Sequence, residues 1–150
     1  MSEGLVVVVS SRPFEDTLNA LVASVKHRQV EVFGMVDHAA NAQGAGLALG
    51  RTTVVTFGGA KAGTPLMQAH QTLGLDLPLR ALVYETAEGQ VRIAYREPRD
   101  ILSGQGVSPD AFPSVSGMSA MLAAVSAEAA GGQPGLAHEP SSSSLTPPRA

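Results

Sequence analysis

The sequence predicts an α+β domain, and three features of its 150 residues carry that prediction. Leu5–Val9 is an unbroken apolar run rich in valine, apolar residues then recur at helical spacing from Phe14 to Val25, and two β-rich segments bracket Thr86–Gly89 as a hairpin would.

The first run ends at Ser10 and Ser11 and reads as a strand buried on both faces or central in a sheet. Phe14, Leu18, Leu21, Val22 and Val25 then form the apolar stripe of a helix. Ser11 is its expected N-cap, with Pro13 in the first turn, Glu15 and Asp16 near the start, and Lys26, His27 and Arg28 at the end, as the helix dipole favours. Strands are expected over Glu31–Val36 and Thr52–Phe57, separated by a short helix at His38–Ala45 and a glycine-rich connection. Gly58–Gly63 reads as a loop, after which Thr64 as N-cap and Pro65 at the first helical position open a helix running to about Thr72.

Arg80–Glu85 and Gln90–Tyr95 form the hairpin, in which Val91, Ile93 and Tyr95 alternate with Gln90, Arg92 and Ala94. The pattern weakens after Pro98. It returns at Met118, Met121, Leu122 and Val125 as a final helix ending at Gly131 and Gly132. One domain is thus expected over residues 1–131, followed by a Pro- and Ser-rich tail over residues 132–150 that lacks the apolar side chains to offset its ordering entropy.

Composition narrows the chemistry. A hydrophobic content of 44% supplies one core. No run of about 18 apolar residues and no secretory layout is present, so a cytoplasmic protein with no membrane contact is expected. Cysteine is absent, which removes disulfides, thiolate metal sites and cysteine nucleophiles. A net charge of −3 with dispersed basic residues disfavours nucleic acid as a partner, and 4% aromatic residues without Trp leave few stacking platforms.

Two stretches stand out as sites. In the first, Asp37 and His38 end a strand. Neighbours on a strand point to opposite faces, so Asp37 reads as the N-cap of the next helix, with His38 either packing locally or acting as a metal or haem ligand or a general base. In the second, Gly58, Gly59, Lys61, Gly63 and Thr64 gather flexible backbone, a cation and a helix start. This is either a sharp turn or an anion-binding loop. Gly58 and Gly63 have the separation of a phosphate loop, but no lysine directly follows Gly63, so nucleoside triphosphate binding is rejected. His27, His70 and His138 lack metal-ligand spacing, and Asp76 is a candidate partner of Lys61 or Arg80. No nucleophile elbow, paired catalytic carboxylates or dinucleotide fingerprint occurs.

The ordered motifs Asp37-His38-Ala39, Phe57-Gly58, Gly63-Thr64-Pro65-Leu66-Met67 and Leu75-Asp76-Leu77-Pro78-Leu79 resemble the bacterial family called domain of unknown function 302, over about residues 5–128. The resemblance implies a β-α-β-β-β-β-α core with TATA-binding-protein-like topology, and a homodimer. Where family members usually read Phe-Gly-Asn-Pro, this chain has Phe57-Gly58-Gly59-Ala60, a more flexible turn. The family brings no activity with it.

The leading expectation is a non-catalytic homodimer whose sheet or dimer interface holds a small ligand beside His38 and the Gly58–Thr64 loop, with haem or a metal bound through His38 as its specific form. The alternatives are an enzyme on a small anionic substrate, with His38 as acid–base and Lys61 as anion clamp, and a structural or regulatory interaction module.

Overall fold

The computed structural model describes residues 4–132, so the tail expected from residue 132 lies, beyond Gly132, outside the described residues. Five strands, β1 (Leu5–Val9), β2 (Glu31–Asp37), β3 (Thr52–Gly58), β4 (Leu79–Glu85) and β5 (Val91–Arg96), form one sheet in the order β1-β5-β4-β3-β2. Every neighbouring pair is antiparallel. The helices are α1 (Phe14–His27), α2 (His38–Gly44), α3 (Ala60–Ala69), α4 (Pro98–Gly104) and α5 (Ser114–Ala129). With the short helices set aside, the order is the β-α-β-β-β-β-α expected.

The side-chain period of two divides each strand between faces. Thr53, Val55 and Phe57 of β3, Leu79, Ala81 and Val83 of β4, and Val91 and Ile93 of β5 are buried together. They pack with Phe14, Leu21 and Val25 of α1 and with Val115, Leu122 and Val125 of α5 in one core. The two long helices also join at their C-terminal ends. Arg28 donates to both carboxylate oxygens of Glu128, at 2.9 and 2.7 Å, and Ser24 donates to the same carboxylate. The Arg28 guanidinium, aided by the Ser24 hydroxyl, holds the Glu128 carboxyl down at about 2.

The hairpin closes at Thr86–Gly89, where Gly89 takes φ +87° that a side chain would resist. Thr86 donates its backbone N–H to the Gln90 carbonyl at 2.8 Å.

Four expectations are corrected. β1 is an edge strand, and Leu5, Val7 and Val9 remain 41%, 40% and 51% exposed because they face away from the helices. Ser11 does not cap α1. Ser10 Oγ accepts the Arg12 N–H to form the turn, Ser11 bonds to the Ala130 carbonyl, and Pro13 stands at the N-cap position. α3 begins four residues before Thr64, since the Gly63 N–H already reaches the Gly59 carbonyl at 3.0 Å, and Pro65 lies inside the helix. Pro65 removes the donor that the Lys61 carbonyl would have taken and sets its ring against that carbonyl. Finally, the weak stretch after Glu97 contains α4, with Pro98 in its first turn, and a 3-10 turn at Pro109–Ala111.

Candidate functional site

The second face of the sheet carries no helix among the described residues, and its residues are set by the register. Val36 pairs with Val54, Val54 with Leu82, Leu82 with Ala94 and Ala94 with Val7, so an apolar row crosses all five strands. On one side of that row Gly34, Thr56 and Arg80 are in line, with Arg96 opposite Leu5. On the other side are Thr52, Tyr84, Arg92 and Val9. The pleat sends all of these to the open face, because the intervening residues of β3, β4 and β5 belong to the buried core.

A shallow concavity of about 490 Å³ lies on this face. Its floor is Val36, Val54, Leu82 and Ala94, and its polar rim includes His38, Asp76, Arg80 and Arg96. Asp76 already accepts a hydrogen bond from the Gln105 amide at 2.7 Å. The ion pairs among the described residues are Arg28–Glu128, Arg51–Glu15 and Arg99–Asp110, so Arg80 and Arg96 bring uncommitted charge to the rim.

Asp37 and His38 separate as adjacent residues at a strand end do. Asp37 Oδ1 accepts the Ala40 N–H at 2.9 Å as the N-cap of α2, and its side chain lines a different depression with Phe14 and Arg51. His38, exposed at the first position of α2, turns to the open face. The two do not form a dyad. Among the described residues no group of three His, Asp or Glu side chains could enclose a metal ion, at His38 or elsewhere.

The glycine loop lies elsewhere. Gly58, Gly59, Gly63 and Thr64 line a separate cavity of about 250 Å³ whose walls are otherwise apolar, and exposed Lys61 is not among its lining residues. Gly58 pairs with Glu31 and Thr53 with Asp37, so the loop and His38 sit at opposite ends of β2 and β3. At about 3.3 Å per residue those ends are roughly 20 Å apart. The structure therefore does not bring His38 and the loop together.

Sequence reasoning missed Arg80 and Arg96 as rim residues. Their signal was alternation: each stands between buried core positions of the hairpin, at Leu79/Ala81 and next to Tyr95, which places it on the opposite face.

Comparison with known proteins places this geometry in context. The chain is 41% identical over 98 residues to Fluoride-specific ion channel FluC 1 of Brucella suis biovar 1 (strain 1330), a match covering 65% of this chain and 39% of that protein. The protein of the same name from Brucella abortus biovar 1 (strain 9-941) matches with the same identity over 36% of its length. The chain thus spans less than two fifths of these curated relatives. No helix of the described residues is long and apolar enough to cross a membrane. A solved structure, that of the uncharacterized conserved protein DUF302 from Bacillus stearothermophilus, superimposes with a TM-score of 0.76 over 85% of this chain and 99% of that one, at 17% identity. It shares the fold. Residues 6–129 match the family described as Domain of unknown function DUF302, and the chain belongs to that family.

Proposed function

We propose that this chain is a non-catalytic binding domain that works as a homodimer and holds a small amphipathic anion on the open face of its sheet. The observation that carries the reading is a single concavity in which an apolar floor is shared by His38, Arg80 and Arg96. Its volume of about 490 Å³ falls within the roughly 300–1,000 Å³ common for small-molecule sites. A flat apolar body would rest on Val36, Val54, Leu82 and Ala94. Acidic substituents would meet the guanidinium groups, whose planar forks suit carboxylates.

The second copy follows from the same face. An apolar row five strands wide resembles the buried face of a sheet more than a solvated one, and Leu5–Val9 has the continuous apolar pattern of a strand covered on both sides. Two bare faces brought together would oppose Arg80, Arg92 and Arg96 of each copy, with Asp76 on the rim and Glu31 at the margin as the counter-charges. An anion between them relieves that repulsion, so ligand and dimer support one another. Haem belongs to this class: His38 of each copy would supply an imidazole, and the arginines would suit its carboxylates.

Native mass spectrometry and an absorbance titration with hemin, on full-length wild type, His38→Ala and Arg80→Ala, test the proposal. A dimer that takes up hemin, with uptake lost in His38→Ala and weakened in Arg80→Ala while both variants stay folded, is expected. Equal uptake by all three proteins would overturn it.

The likeness to the channel proteins favours a second reading, a regulatory interaction module. The matched 98 residues are 39% of the Brucella suis protein, and the described part of this chain has no helix suited to crossing a membrane. Its counterpart in those proteins would then be an appended domain beside the ion path, and this chain would act with a fluoride channel. Cells lacking the chain would then become fluoride-sensitive. Unchanged sensitivity would remove the second reading without touching the first.

A further inference from the structure

The cavity under α3 is a different environment from the open face, and the chain builds it from unusual pieces. Among its lining residues the only polar side chain is Thr64, and none is charged. Met67 from α3 and Met118 and Met121 from α5 form its adaptable walls, and Leu77 and Pro78 close one side. The register of β2 against β3 shifts between Val32 and Gly34, and the extra residue, Phe33, is left 57% exposed at the mouth. A bulge of this kind re-aims a side chain. Small residues keep the space open: an added Cβ at Gly63 would meet only Leu77 Cδ1 and Met67 Cε, both at 3.8 Å, and one at Gly59 would meet nothing within 4 Å.

We propose that this cavity binds a small uncharged aromatic molecule about two fused rings in size. Size and polarity set the class. An apolar cavity of about 150 Å³ accepts benzene, and this one measures about 250 Å³. A charged ligand would find no counter-charge there and would lose its hydration, whereas thioethers and Phe33 offer favourable contacts to an aromatic ring. The site is distinct from the open-face concavity: the two share Leu79, but His38, Arg80 and Arg96 do not line this one.

The test is a titration of the full-length protein with naphthalene and with indole, followed by the ¹³C-methyl resonances of its methionines. Saturable ring-current shifts of Met67, Met118 and Met121, with Met35 unmoved, are expected. Gly63→Leu fills the cavity and should weaken binding at least tenfold, whereas His38→Ala, outside the cavity lining, should bind as wild type does. If Gly63→Leu does not fold, Gly59→Leu at the same cavity takes its place with the same expected loss. Absence of methionine shifts at the solubility limit, or undiminished binding in the filled variant, would overturn the proposal.

Discussion

Val54 and Val55 are neighbours on one strand, yet they belong to two different surfaces. Val55 is fully buried between the sheet and its helices, while Val54 lies in the apolar row of the face that carries no helix among the described residues. The two faces are built from similar residues. What separates them is the cover: α1 and α5 rest on one, and their C-terminal ends are tied by Arg28 and Glu128. Apolar patterning therefore states that a face is to be buried, but the chain's own helices bury only one of them. The remaining face, with its arginines and His38, is the one we propose for the ligand and the second copy.

The contrast can be broken by substitution, beginning with the largest effect. Phe57→Ala on the covered face should lower stability by about 3–5 kcal/mol, the usual cost of removing a fully buried aromatic ring, as read from the urea midpoint. Leu82→Asp on the open face should cost about 1–2 kcal/mol, less than Phe57→Ala, since Leu82 is only half-buried. A shift as large as that of Phe57→Ala would erase the distinction.

The tie between the helices gives a pH signature. The Glu128 carboxyl, at 4.5 when free and about 2 in the folded chain, binds its proton more weakly when folded. Its contribution is complete above pH 4.5 and is lost as pH falls through about 2. With both side chains partly exposed, about 1–2 kcal/mol is expected after screening by solvent. Urea midpoints measured from pH 6 to pH 2 should fall over that window in wild type and remain flatter in Arg28→Met; parallel curves would contradict the assignment.

The smallest effect is a gain. Ser126 is fully buried in α5, and its hydroxyl is the one buried side-chain polar atom without a hydrogen-bond partner among the described residues. Ser126→Ala removes that unmet donor and should raise stability by up to about 1 kcal/mol, visible as a higher melting temperature. A lower one would mean that the hydroxyl has a partner.

The elements that could be read from sequence were those with a strong local period. The valine run, the stripe from Phe14 to Val25 and the Thr86–Gly89 hairpin all appear where periodicity and turn chemistry place them. Asp37 also sits in its expected cap, because a carboxylate at a helix start is a local interaction. Leu5–Val9 misled because an all-apolar run fits a central strand, whereas here it is an edge whose second face is open. α3 misled because Thr64-Pro65 is a good helix start, yet Gly59 and the small residues after it allow the turn to close earlier.

The site was less legible. Arg80 and Arg96 join His38 only through the pairing of β3, β4, β5 and β1, a nonlocal register that no motif spells out. Phe33 reached the mouth of the apolar cavity through a bulge, for which the glycine at Gly34 was the only hint. Gly58, Gly59, Gly63 and Thr64 do line one cavity together, but its walls are carbon and sulfur, and Lys61 is outside it.

The most direct test of the open face as the working surface is sedimentation equilibrium of the full-length wild type and Leu82→Asp, each with and without hemin. The account predicts a wild-type dimer strengthened by hemin and a folded Leu82→Asp monomer that takes up none. A Leu82→Asp dimer that binds hemin as wild type does would contradict it.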